Sequence, residues 1–472
     1  MTALQPRTAA WLYTAVVGGL ASYFLVDIPV QLSDSLQNIF AADRRTLREL
    51  FVNNLWSDGY LRPLLFAPIR LVYLVADGNY TAWFRGVHAV QLTLTIAALV
   101  AALRVRTWAQ ASAVPLAVAM LLSIHTSADT IREAFPVNAY LTIVLCCVLT
   151  VLLASAPHRW WSDAAAFLLL AVAALSVESG LLVGVIVVAG YVAGWRGVSR
   201  WGVAAAVAGV AAYFAVRFLV FDVGTPGLDE RATGFGFAIL EPDEIQARFG
   251  ASPLPLFAYN VLASVGTVLF AEPRAGVFWM VRQLVHGELE PWVAVNFVAC
   301  TSVTVLLAAH IAAGWARWRR WQLADADRMI VVFIAVLAGN AAMNLVYTKD
   351  VIMSPAGALF ALSAAGALAA RLDGGGSVRV SPAAAALVAA VALTWGIKTM
   401  GVHYSLRDSA HATRKAWVYA DSWLEAQEVS LAGPRERGIK DALMADALWR
   451  RPASPRIQIH WRWPGAWFDT TQ

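Results

Sequence analysis

The run Ala9 to Val26, AAWLYTAVVGGLASYFLV, passes directly into Asp27-Ile28-Pro29-Val30-Gln31-Leu32-Ser33-Asp34, and this junction decides how the chain must fold. As a helix rising about 1.5 Å per residue, the run nearly spans a hydrocarbon core of about 30 Å. The polarity after it has no place in that core, and it continues through Asp43-Arg44-Arg45, Arg48-Glu49 and Asp58-Gly59-Tyr60-Leu61-Arg62-Pro63. Ionisable groups at a membrane interface or in a protected cavity are functional candidates by default. Arg7 gives the run the look of a signal peptide. No small-residue cleavage site follows and many more apolar runs do, so it reads as a retained first helix.

Working outward, 59% of the 472 residues are hydrophobic and only 14% are charged, against about 25% charged in soluble domains. Mean hydropathy is +0.60. The fold class is therefore all-α, a polytopic transmembrane helical bundle. The net charge of +5 reads as arginine in cytoplasmic loops. No basic stripe with interleaved aromatics points to nucleic acid, and that class is excluded. Cys146, Cys147 and Cys300 lie in apolar runs, as small core residues. His88, His125, His310, His403 and His411 are scattered, with no HExxH, pair at metal spacing or Walker loop. Carboxylates from separate loops remain able to share a divalent cation.

Arginines sort the connectors. Arg104-Val105-Arg106, His158-Arg159, Arg196 to Arg200, Arg317 to Arg328 and Arg371 to Arg379 fall inside by the positive-inside rule. Between them the apolar pattern predicts helices at about 84–103, 112–128, 137–155, 162–177, 180–195, 201–221, 292–316, 328–347, 351–371 and 381–400. With the first helix these make about eleven crossings, an amino terminus inside and a carboxyl terminus outside. The stretches 28–82, 129–136, 177–179, 222–291, 347–350 and 401–472 then face out. They hold most of the carboxylates, including Asp34, Asp129, Glu133, Glu178, Asp229, Glu241 and Asp350. Leu61 to Val75, broken by Pro63, Pro68 and Arg70, is predicted to lie along the outer interface. Leu254 to Phe270 is predicted to be re-entrant or interfacial, or else to cross and return through Gly276 to Val285. One short amphipathic helix is expected near Leu240 to Arg248. Small residues at Gly357, Ala361, Ala365 and Ala369 allow close helix packing. Residues 1–400 thus form the membrane domain. Residues 401–472 form an external, tryptophan-rich tail, with Trp417, Trp423, Trp449, Trp461, Trp463 and Trp467, suited to lie on the membrane or cap the outer loops.

Each candidate has two readings. Asp34 is a general base for a hydroxyl, or Ser33 or Asp34 caps a short helix over Ser35 to Asp43. Asp27 is a substrate contact or an interfacial residue. Arg62 orients a phosphate or carboxylate, or anchors the interface beside Tyr60. Asp129, Arg132 and Glu133 bind substrate or pair with one another. Glu178, between two apolar helices, needs a partner. Lys349 meets a phosphate as a point charge, or pairs with Asp350.

The order of these features resembles the GT-C superfamily of membrane glycosyltransferases, which use polyprenyl-phosphate sugars, and within it the protein O-mannosyltransferase and TMTC-like branch. The matching features are Asp34 after the first helix, then Tyr60-Leu61-Arg62-Pro63-Leu64, then a helix containing His88. They continue with Ile124-His125-Thr126-Ser127-Ala128-Asp129 and Arg132, Ser176-Val177-Glu178, and Arg414-Lys415-Ala416-Trp417 before Trp423-Leu424. The family's Ser-Lys-Glu-like junction lacks its lysine here, so Arg132 or Lys349 would have to supply that cation. No tetratricopeptide repeats follow, which leaves the acceptor open.

The resemblance implies an inverting hexosyltransferase of the bacterial inner membrane, acting on its outer face. The carrier's lipid tail lies in the bilayer, among membrane lipids, and the acceptor is a protein, lipid or polysaccharide. A carboxylate deprotonates the acceptor hydroxyl, with Asp34 preferred over Asp129 and Asp27, and cations stabilise the leaving phosphate. Arg62, Arg132 and Lys349 are the nearest cations. The rival classes are a transporter or flippase of a lipid-linked or anionic substrate, which needs polar groups near mid-membrane, and a non-catalytic membrane assembly subunit.

Overall fold

The computed structural model describes residues 4–56, 61–133, 137–221, 232–233, 239–250, 252–273, 275–373, 382–431 and 433–450. Tyr60, the loop 222–231 and Trp461, Trp463 and Trp467 lie outside these, as do the side chains of Asp34, Arg132 and Glu133.

The chain opens with α1 (Pro6–Val26), where proline at the first turn gives up no hydrogen bond. Three helices of the first loop follow: α2 (Asp34–Arg44), α3 (Leu47–Trp56) and α4 (Pro63–Ala76). Next come α5 (Tyr80–Ala102), α6 (Trp108–Leu121), the short α7 (Ile124–Ala128) and α8 (Ala139–Ala154). Then α9 (Ser162–Ala174), α10 (Leu182–Val192) and α11 (Arg200–Ala215) complete the first half. Capping chemistry sets several starts. Thr107 and Gln110 form a capping box on α6, Asn138 caps α8 and Ser199 caps α11.

The second half holds α12 (Pro242–Phe249), α13 (Leu254–Leu269), α14 (Gly276–His286) and α15 (Pro291–Ala313). It continues with α16 (Trp315–Arg319), α17 (Asp325–Met343), α18 (Ser354–Leu372) and α19 (Pro382–Thr413), and ends with α20 (Ala420–Ala426) and α21 (Pro434–Trp449). A two-residue antiparallel pairing, Ala232–Thr233 with Ile239–Leu240, is the one β feature among the described residues. The short helix expected near Leu240 to Arg248 is α12. The helix expected to stop at 400 instead runs unbroken to Thr413, because no proline or glycine cap intervenes after Gly401.

Among the described residues, six helices are long and apolar enough to cross a membrane, or eight if each of two bent pairs is one span. Shorter apolar helices stand beside them at Pro63–Ala76, Ala139–Ala154, Ser162–Ala174 and Glu178–Val192. The protein is a multi-pass, all-α integral membrane protein. At its centre α18 is buried along most of its length and packs on α6 and α17. Gly357, Ala361, Ala365 and Ala369 are all buried there, which is the close packing expected of small residues.

Hydrogen bonds between connectors divide the bundle into two ends. At one end, Arg104 donates to the carbonyls of Ser155 and Leu152, Thr107 to Asp373, Ser199 to Asp163, and Trp321 to the Val192 carbonyl. At the other, Leu64 N–H donates to Leu175 O, His125 to Asp350 O, Asn260 to Leu345 O and Trp417 to Val30 O. The arginine-rich connectors thus gather at one end and the carboxylate-bearing loops at the opposite end.

Between them α13 and α14 form a hairpin. Asn260 in the second turn of α13 lies beside Leu345, and the end of the helix gives the Leu269 and Phe270 carbonyls to Thr304 and Thr301, near the middle of the 23-residue α15. The chain then turns back through α14, which packs on α15. The hairpin thus reaches the middle of α15 and turns back there. α12 joins α13 at a 100° bend.

Candidate functional site

The first-loop end is built around Arg85, a fully buried guanidinium in the second turn of α5. Its Nε donates to Ile28 O at 2.8 Å, Nη2 to Pro29 O at 2.9 Å and Nη1 to Thr130 O at 2.6 Å. The planar fork reaches three carbonyls from three separate nitrogens, a spread that a single ammonium nitrogen lacks. It fastens the loop before Asp34 to the turn that begins at Asp129. Asp129 opens a five-residue π turn and is buried. Asn138 reaches the same turn, donating to Thr130 Oγ1 at 2.7 Å.

Asp34 is the first residue of α2. Ser33 takes the capping position, accepting from Ser35 N–H at 3.4 Å, so the cap expected of Ser33 or Asp34 falls to the serine. An acidic residue at that first position complements the helix dipole.

Glu178 has the partners its position demanded. Arg62 holds it through a fork, Nε to Oε1 and Oε2 at 3.1 Å each and Nη2 to Oε2 at 2.6 Å. Arg217, buried after α11, donates from Nη1 to Oε1 at 2.7 Å. Arg62 and Glu178, two separate expectations from sequence, are thus one ion cluster. Gly180 makes its geometry possible: a Cβ there would lie 2.0 Å from the Ala173 carbonyl carbon. Leu64 N–H bonded to Leu175 O ties α4 to the same turn.

Asp27 ends α1 and pairs with Arg407 of α19, whose guanidinium also lies over the Phe24 ring. His411, one turn on, is 3% exposed, and neither ring nitrogen has a hydrogen-bond partner among the described residues. Burial pushes its pKa down to about 4. Lys349 places Nζ 5.5 Å from the centre of the Tyr347 ring, and the Asp350 carbonyl accepts from His125 Nδ1 at 2.8 Å.

A further cluster lies at the tip of the hairpin between α13 and α14. Lys398 Nζ, fully buried, is 2.5 Å from Glu272 Oε2, and His125 Nε2 lies 3.2 Å from Glu272 Oε1. Over the first loop, α19 leads into a cover. Trp417 is fully buried with Nε1 donating to Val30 O at 2.8 Å, Arg44 pairs with Glu436 of α21, and Asp43 with Arg435 at 2.9 Å. The described part of the tail, through α21, therefore packs on the first loop.

Sequence reading passed over Arg85, Arg217, Glu272 and Lys398. Each stands alone in or beside an apolar run, and such a charge is itself the signal. Among the described residues no three His, Cys, Asp or Glu side chains converge as a metal site. No family model, curated protein or solved structure matches the chain.

Proposed function

We propose that the protein is an inverting glycosyltransferase that moves a sugar from a polyprenyl-phosphate carrier to an acceptor hydroxyl, with about eleven crossings and its first-loop end facing outward from a bacterial inner membrane. One observation carries the reading. Arg62 and Arg217 converge on the carboxylate of Glu178, which gathers two guanidiniums at the boundary of the bundle, where Arg62 is still 28% exposed through its side chain. Such a cluster suits a lipid-borne phosphate, and it supplies a cation beside Ser176-Val177-Glu178 where the resemblance wants one.

In this reading Asp34 takes the proton from the acceptor hydroxyl, whose oxygen attacks the anomeric carbon opposite the carrier. The carbon–oxygen bond to the phosphate breaks and the configuration inverts. The leaving phosphate gains charge as it departs, and the Arg62–Arg217 pair stabilises it. Arg85 positions the Asp34 loop against the Asp129 turn.

The test uses membranes carrying the full chain and a panel of radiolabelled polyprenyl-phosphate sugars. Label is expected to leave the lipid phase with wild type and not with Asp34→Asn at equal abundance. Equal transfer by Asp34→Asn overturns Asp34 as the base. Arg217→Gln is expected to raise the KM for the donor roughly tenfold, the loss of one charge-assisted contact.

One observation favours the transporter reading instead: the buried Lys398–Glu272–His125 cluster reaches toward mid-bundle, where a transporter needs polar groups. In proteoliposomes, movement of a lipid-linked sugar across the bilayer that survives Asp34→Asn and stops with Glu272→Gln would move the assignment to that class.

A further inference from the structure

At the arginine-rich end, the start of α1 leans over the turn between α5 and α6 and the last turn of α8. A cavity of about 660 Å³ opens between them. Arg7, Arg104 and Arg106 line it, Ala10, Trp11 and Val100 give it an apolar wall, and no lining residue carries a carboxylate. Arg104 is fixed in the left-handed region at φ 48°, where it ends α5, and its Nη1 and Nη2 satisfy the Ser155 and Leu152 carbonyls at 2.7 and 3.2 Å. Its charge is thereby held in place at the rim. Burial pushes its guanidinium down from the ordinary value, with Arg106 adding to this and Asp325 opposing it. The side chains of Arg7 and Arg106 make no ion pair among the described residues. α1 adds its own bias: Gln5 provides no side-chain cap, and the positive end of this 21-residue helix lies at the cavity, which Gln5, Pro6 and Arg7 line.

Three guanidiniums, an uncapped helix start and no carboxylate make a site for an anion. The apolar wall says which anion. Below Trp11, the outer face of α1 exposes Leu12, Val16 and Leu20, a continuous strip for acyl chains. We infer that this cavity binds the phosphate of an anionic phospholipid, with Arg7 and Arg106 on the headgroup and the chains along α1. The assignment to the inner leaflet rests on the orientation proposed above; the site itself does not depend on the glycosyltransferase reading.

The experiment is native mass spectrometry of the full chain in detergent, titrated with phosphatidylglycerol or phosphatidylcholine. Wild type is expected to hold one phosphatidylglycerol far more tightly than phosphatidylcholine. Arg7→Gln with Arg106→Gln is expected to weaken it by roughly fivefold per arginine. Arg196→Gln with Arg200→Gln, which removes the same charge elsewhere at this end, is expected to leave it unchanged. Thermal melts of the variants verify that folding is intact, and sugar transfer by the cavity variant is expected to persist, which separates this inference from the proposed activity. Equal retention of the two lipids, equal loss in the control variant, or displacement of phosphatidylglycerol by millimolar inorganic phosphate would each overturn the lipid site. The last would leave a soluble-anion site in its place.

Discussion

Arg85 decides more than any other single side chain, because one buried guanidinium donates to three carbonyls from two loops. Arg85→Met keeps the volume and removes every donor, so Ile28 and Thr130 lose the guanidinium and Pro29 is left with its bond from Gln31 Nε2. A loss of about 3 kcal/mol or more is expected, read as a lower thermal midpoint in detergent. Arg85→Lys should recover only part of it, since a single ammonium nitrogen lacks the spread of three guanidinium nitrogens. His411 makes a pH statement at the same scale. It lies beyond the apolar part of α19 with its pKa lowered from 6.5 to about 4, chiefly by burial; Asp27 opposes that shift while Arg407, Arg414 and Arg85 reinforce it. Above pH 6.5 the ring is neutral whether the chain is folded or not, and the group contributes no pH dependence. Between pH 6.5 and 4 the unfolded chain takes up a proton that the folded one refuses, so stability falls as pH drops through that window. His411→Gln should flatten this part of a melting-temperature profile. An unchanged slope would show that His411 is not the group responsible.

Elements carry the clusters, and glycine and the tail helix make that dependence testable. A methyl group at Gly180 would collide with the Ala173 backbone, which has no flexible end to yield. Gly180→Ala is therefore expected to push the Glu178 turn away from α9 and pull the carboxylate off Arg62 and Arg217. Its effect on donor KM should match that of Glu178→Gln; a normal KM with a normal melt would disconnect turn geometry from the cluster. On the other side of the loop, α21 holds α2 through Arg44 and Glu436. Because Arg44 is 42% exposed through its side chain, a double-mutant cycle to alanine should give a coupling of only about 1 kcal/mol. The apolar runs made α1, α5, α15, α17 and α18 legible in the sequence, since length and hydropathy specify a span. Trp417 was legible only as an aromatic in an outer tail. Its bond to Val30 joins residues far apart in sequence, and nothing in local periodicity records such a meeting. The partners of Glu178 were hidden for the same reason: a lone carboxylate announces that it needs a cation, while α11 alone says where Arg217 arrives.

Across the whole molecule, the short connectors are sorted by arginine content, and that sorting is legible in the sequence because arginine bias acts on connectors one at a time. The short connectors grouped by arginine content also hydrogen-bond to one another, Arg104 with Ser155 and Thr107 with Asp373, while His125 with Asp350 and Trp417 with Val30 meet at the opposite end. Two independent partitions of the same loops agree, so the shorter helices α8, α9 and α10 must carry the chain from end to end although each is shorter than the long spans. The remaining question is which end faces the cytoplasm. Alkaline phosphatase fused after His411 and after Pro157, each in the full membrane domain up to that point, answers it. If the arginine-rich end is inside, the first fusion is active and the second silent. The reverse pattern would turn the bundle over and put the Arg62–Glu178–Arg217 cluster in the cytoplasm, and activity at both points would mean that an odd number of the shorter helices between them fails to cross.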